Sequence, residues 1–225
     1  MPEPIRVAVI DSGIQPQHPH IDAGRLRPGI GILADGTLLA GAEETLDQLG
    51  HGTAVAAAIQ EKAPDALLLP ARVFREGLRA SPRALATAIR WSIEQRADLI
   101  NLSLGSMNPA HAVVFAALAD EAAEAGCVII AAFEAGGEPC WPGCLPQVIG
   151  VGLDWDVPRE TCRVSTTGSG AAIHASGYPR PIPGVPPRRN LYGVSFAVAQ
   201  VTGLAAACAT APMTRAGILS IIGAE

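Results

Sequence analysis

Asp11, His51 and Ser195 each stand alone as a reactive group at the edge of an apolar run. Asp11 closes "IRVAVID", His51 opens "HGTAVAAAI", and Ser195 heads "GVSFAVAQVTG". Singly, each has a structural explanation. Asp11 with Ser12 and Gly13 reads as a turn, His51 as a helix-entry residue satisfied by backbone, and Ser195 as an N-cap. Together they supply an acid, an imidazole and a hydroxyl, the parts that serine hydrolysis requires. A hydroxyl is a poor nucleophile until a base removes its proton. An imidazole does this best when a carboxylate fixes its tautomer and stabilises the cation that forms.

Such chemistry needs elements that bring distant residues together. "IRVAVID", "DALLLPARVF", "ADLINLSLG", "GCVIIAAF" and "QVIGVGL" are short, nearly continuous apolar runs. They fit strands buried on both faces of a parallel sheet. Helical patterns lie between them. "SPRALATAIRWSIEQRA" opens on Ser81-Pro82, a cap followed by a first-turn proline. "NPAHAVVFAALADEAAEAG" opens on Asn108-Pro109 and stops at Gly126. The alternation predicts an α/β fold, a doubly wound, mostly parallel sheet flanked by helices, in which ligands meet the carboxyl ends of the strands. Residues 29–41, with an Asp35-Gly36 turn, predict a small hairpin or loop excursion. The proline-dense "GYPRPIPGVPPRRN" predicts a loop or edge segment. There is no internal repeat and no domain linker, so 1–225 reads as one domain.

Composition supports a large interior. Of 225 residues, 49% are hydrophobic and 16% charged, which is enough for one well-buried core. The net charge of −5 with no basic block argues against nucleic acid or an anionic membrane as partner. "MPEPIRVAVIDSG" lacks the features of a signal peptide, so a cytoplasmic location is expected. The uncharged run from Ser195 to Thr214 carries Gln200, Gly203 and Pro212 and reads as a buried helix, not a membrane span. Cys127 and Cys208 lie in apolar runs and read as small core residues. Cys140 and Cys144 flank "WPG"; their spacing allows free thiols, a disulfide or a metal pair.

The chain resembles the subtilisin-like serine proteases (subtilases). "VAVIDSGIQPQHPHI" is similar to the family's aspartate motif, "HGTAVAAAI" to its histidine motif and "GVSFAVAQVTG" to its serine motif. "APDALLLPARVF" and "LINLSLGS" also match in place, and the resemblance runs from about Ile5 to about Ala209. It implies a subtilisin-like fold and a serine endopeptidase. Ser195 would attack the scissile carbonyl, His51 would take its proton and return it to the leaving amine, and Asp11 would orient His51. Ser103, Leu104 and Gly105 match the strand that pairs with an extended peptide substrate. Phe133 and Glu134 stand near the expected wall of the pocket for the residue before the cut. There they would narrow it, or favour a basic residue if Glu134 faces inward.

The sequence departs from the family pattern at the oxyanion hole. Ala135 falls where the family has a donor asparagine, Glu134 precedes it, and Val194 stands where threonine is usual. The Ser195 backbone N–H remains, helped by the positive end of its helix. Asn108, Ser106, Thr166 and Thr167 (the last two in a polar loop) or a protonated Glu134 are alternative donors, as is another chain completing the site. Besides an endopeptidase that processes a dedicated peptide, two alternatives stand. One is a weak or inactive pseudoprotease that binds an extended peptide; the other is a ligase or cyclase using the same acyl-enzyme. No cofactor or metal is expected. Asp22, Asp35, Glu43, Glu44 and Asp47 show no calcium-loop spacing and read as surface acids. His18 and His20 read as turn residues, His111 and His174 as exposed, and Asn101 as a hydrogen-bonding residue at its strand's end.

Overall fold

Alternation along the first strand sets the architecture. β1 (Arg6–Asp11) turns Val7 and Val9 to one face of the sheet and Ala8 and Ile10 to the other, and all four are buried. A strand buried on both faces needs helices on both. In a computed structural model describing residues 3–167, 170–208 and 213–222, it has them.

The other strands are β2 (Ile30–Ile32), β3 (Leu38–Leu39), β4 (Leu67–Arg72), β5 (Leu99–Leu102), β6 (Val128–Ala132), β7 (Glu134–Ala135), β8 (Glu138–Pro139), β9 (Ile149–Leu153), β10 (Cys162–Thr167) and β11 (Gly170–Ala175). Nine of them form one sheet in the order β10-β11-β9-β6-β5-β1-β4-β2-β3. Its centre is parallel, with β5 and β4 either side of β1. The helices are α1 (His51–Lys62), α2 (Pro82–Glu94), α3 (Ala112–Glu124), α4 (Val194–Cys208) and α5 (Arg215–Ile222). Val7, Val9, Leu99 and Ile130 pack under α1 and α4, with Val55, Ile59, Phe196 and Val198. Ala8, Ile10, Ile100 and Ile129 pack under α2 and α3, with Ala84, Ile89, Phe115 and Leu118. Burying one side chain such as Phe196 contributes about 1.5–3 kcal/mol.

Local signals explain most element ends. Ser81 Oγ accepts from Ala84 N at 3.0 Å and Pro82 opens α2. Asp35 accepts from Thr37 N in the turn between β2 and β3. Asn108 caps a short 3-10 turn, Pro109–His111, and α3 begins only at Ala112. The expected start at Asn108-Pro109 is therefore one turn early.

A second correction concerns residues 162–175. Thr166 and Thr167, expected in a polar loop, belong to β10, which pairs antiparallel with β11. Ladder hydrogen bonding at the sheet edge makes this hairpin without a long apolar run. Cys208, expected in the core, is exposed at the end of α4. No described helix is long and apolar enough to cross a membrane.

Candidate active site

β1 ends at Asp11, and the turn after it meets the first turn of α1. His51 Nδ1 lies 2.7 Å from Asp11 Oδ1, and both side chains are buried. An ionised carboxylate only accepts, so the imidazole proton sits on Nδ1 and the Nε2 lone pair is free. Ser12 N donates to the same carboxylate oxygen at 2.8 Å. Gly52 permits this approach, because a Cβ there would lie 2.2 Å from Gly13 O and 3.1 Å from Asp11 Oδ1. Burial works against the imidazolium. The Asp11 hydrogen bond, the Asp11 charge and the Asp47 charge outweigh it, and the His51 pKa stands above its ordinary value.

Asp47 corrects the sequence reading. It is a buried hub, not a surface acid. Its Oδ1 accepts from Ser12 Oγ, Leu49 N and Gly50 N, and its Oδ2 from Thr53 N and Thr53 Oγ1, at 2.6–2.9 Å. Ser12 Oγ in turn accepts from Gly52 N at 2.8 Å. Asp47 and Ser12 thereby satisfy the first amides of α1, a place where negative charge is also favoured by the helix dipole.

Ser195 enters from the other helix. It is buried in the first turn of α4, after Gly193, whose φ is 147°. The ring of its neighbour Phe196 lies 5.4 Å from that of His51, which sets the two helix starts side by side. Ser195 Oγ is 3.5 Å from Ser103 O, and among the described residues no hydrogen bond joins it to His51. Deeper down, Thr202 Oγ1 donates to Asn101 Oδ1 at 3.0 Å, and Asn101 Nδ2 donates to Ser103 Oγ at 3.2 Å. This buried chain fixes α4 against the end of β5. Asn101 thus has the hydrogen-bonding role expected of it.

A family model described as the subtilase family matches residues 3–212. The chain belongs to the subtilase family. Subtilisin E of Bacillus subtilis (strain 168) is 28% identical over 218 residues, covering 89% of this chain and 52% of that relative. The chain therefore spans about half the length of that relative. Among solved structures, the prenylagaramide maturation protease PagA is 25% identical with a TM-score of 0.61, covering 90% of this chain and 74% of that one. The nisin leader peptidase NisP from Lactococcus lactis has a TM-score of 0.68 at 19% identity, covering 91% and 77%; that likeness shows the fold.

In this subtilase, the segment after β5 has an unexpected neighbour. Ser106 and Trp141 exchange backbone hydrogen bonds at 2.7 and 2.9 Å. A Cβ on Gly105 would lie 2.3 Å from Trp141 O and 3.2 Å from Cys140 Sγ. The stretch around Cys140 and Trp141 therefore walls one side of Ser103-Leu104-Gly105. Only the bare glycine signalled this in the sequence. Cys140 and Cys144 are free thiols; burial raises the Cys140 pKa, and Cys144 Sγ donates to Phe133 O at 2.9 Å.

Phe133 packs edge-on against His174 at 5.8 Å, and half-buried Glu134 and Ala135 form β7, paired with β8. Neither His174 nor His111 is the exposed residue expected. Both are half-buried, and His111 Nδ1 lies 2.7 Å from Ser106 Oγ. Ser106 Oγ also accepts from Asn108 N, and Asn108 Oδ1 caps Ala110 N, so both side chains already have partners. The side chains of Thr166 and Thr167 lie outside the described residues. Among those described, no group of His, Cys, Asp or Glu is arranged to hold a metal.

Proposed function

We propose that the chain is a serine endopeptidase in which Ser195 attacks the scissile carbonyl of an extended peptide. His51 Nε2 takes the hydroxyl proton and delivers it to the leaving amine, while Asp11 holds the tautomer and stabilises the imidazolium. The 2.7 Å Asp11–His51 pair, set beside the start of α4 that carries Ser195, is the observation that carries this reading. A χ1 rotation of the serine moves its hydroxyl from Ser103 O toward the imidazole, and apo sites often tighten in this way when substrate binds. The substrate backbone lies along Ser103-Leu104-Gly105 by strand addition, and the Ser195 N–H donates to the oxyanion. The finer reading is processing of a dedicated precursor peptide. The names of PagA, a maturation protease, and NisP, a leader peptidase, support it.

A second reading is peptide binding without turnover. It draws on Ala135, which has no side-chain donor, and on the resting bond of Ser195 Oγ to Ser103 O. A quenched peptide library read by mass spectrometry separates the two. New termini with wild type and none with Ser195→Ala support the peptidase. Retention of uncut peptides by both proteins supports the binder, and products joined to an added amine reveal acyl transfer in place of hydrolysis.

A further inference from the structure

Beside α1 lies a cavity of about 290 Å³ between that helix and the proline-rich loop that leads to Ser195. Gly50 and Thr53 line it from the start of α1, and Asn190 and Leu191 from the loop. His18, His20 and Arg180 line it as well. Resting on the endopeptidase reading above, we propose that this cavity binds an acidic side chain of the substrate, two or three residues after the cut bond.

Position follows from the sheet. Ser103-Leu104-Gly105 leave β5, whereas Asp11 ends the adjacent β1 and His51 stands above it on α1. A peptide paired with the first segment crosses Ser195 toward His51, the group that protonates the leaving amine. The chain after the cut therefore enters on the α1 side. Ala57, also on the wall, is six positions beyond His51, about 9 Å along the helix axis. An extended peptide spans that distance in about three residues.

Chemistry follows from the charges. Arg180 Nη1 donates to His20 O at 3.2 Å, and among the described residues its Nη2 makes no hydrogen bond. Its acidic neighbour, Glu61, lies 4.0 Å from Arg180 Nε but also pairs with Arg159 and Lys62, while Glu160 lies 3.9 Å from Arg159. Two carboxylates, Glu61 and Glu160, thus face three cations, Lys62, Arg159 and Arg180, and Arg180 keeps positive charge to offer. His18 Nδ1 accepts from His20 N at 3.2 Å, so its neutral ring presents Nε2–H as a donor. Burial, and after it the charge of Arg180, lower the His20 pKa. Asp47 touches the α1 end of the cavity, but both its oxygens are already taken by donors from Ser12, Leu49, Gly50 and Thr53. Gln15 also lines the cavity, and its buried side-chain oxygen has no hydrogen-bond partner among the described residues.

The test is a quenched peptide series identical before the cut, with Glu, Gln or Lys placed at the first to fourth positions after it. The expected result is a kcat/KM about tenfold higher for Glu than Gln at the second or third position, the scale of a charge-assisted contact, with Lys disfavoured there. In Arg180→Gln that ratio falls to about one, and in Arg180→Lys part of it survives. A Tm within a few degrees of wild type keeps the comparison on folded protein. Equal rates for Glu and Gln at every position, or an Arg180→Gln change equal for all peptides, overturns the proposal. Capture of the same peptides by Ser195→Ala protein reads the acidic preference without turnover. Acidic preference in capture with no cleavage by wild type fails the endopeptidase reading and leaves the cavity assignment standing. Cleavage without acidic preference does the reverse.

Discussion

Asp47 Oδ2 accepts from both the backbone N and the hydroxyl of Thr53, at 2.8 and 2.6 Å. One carboxylate thereby ties the loop before α1 to the helix that carries His51. Without it, the buried Ser12 hydroxyl and Thr53 amide and the part-buried amides of Leu49 and Gly50 lose their acceptor. Each such loss costs about 1–3 kcal/mol, reduced where water can enter. Asp47→Ala is expected to lower unfolding free energy by about 3–5 kcal/mol, measured by urea denaturation. Asp47→Asn should cost less, because it keeps an acceptor oxygen. A change below about 1 kcal/mol for Asp47→Ala contradicts the hub role.

The raised His51 pKa has a sign that can be measured. The base must be neutral to act, so kcat/KM should rise with pH through an inflection above the ordinary histidine value of about 6.5. Asp47→Asn removes a charge that raises this pKa and should move the inflection down. The stability linkage runs the other way. A pKa raised by folding contributes stability that is fully present below the unfolded value and is lost as pH rises through the folded one. His51→Ala should therefore flatten part of the pH dependence of stability on the neutral side. An inflection below the ordinary value contradicts the account of His51.

Thr202 Oγ1 bonds both Asn101 Oδ1 and Val198 O, at 3.0 and 2.8 Å. Thr202→Val keeps the shape but strands the buried Asn101 oxygen. A destabilisation of about 1–3 kcal/mol is expected, with turnover lowered through misplacement of Ser195. Asn101→Leu with Thr202→Val should cost less than the sum of the single changes, because the pair shares one bond. Strict additivity in a double-mutant cycle overturns this link.

Ala135 offers no side-chain donor. Loss of an oxyanion asparagine in a subtilisin costs about 10²–10³ in turnover. Ala135→Asn is therefore expected to raise kcat by up to about 10², seen as a faster acylation rate in single-turnover kinetics. No gain, with the fold intact, locates the donor elsewhere than at 135.

The central strands and the four long helices, α1 to α4, were legible because their signals are local. Apolar runs such as Val7–Ile10 need burial on both faces, and Ser81-Pro82 marks a helix start wherever it lies. The Asp11, His51 and Ser195 positions were legible as lone reactive groups at such boundaries. Asp47 was not, because an acid between loop residues has no periodicity, and its donors come from backbone geometry that folding creates. The β10–β11 hairpin escaped notice because β10 mixes polar with apolar residues and β11 carries one large apolar residue, Ile173, so neither makes a long apolar run. The Ser106–Trp141 contact joins segments 35 residues apart by a single bridge, which leaves no pattern in either.

The most direct test is covalent capture by a fluorophosphonate, with the adduct mapped by peptide mass. The account predicts a single adduct on Ser195, absent in Ser195→Ala and formed far more slowly in His51→Ala. Labelling of wild type that is unchanged in His51→Ala, or no adduct on Ser195 in folded protein, contradicts it.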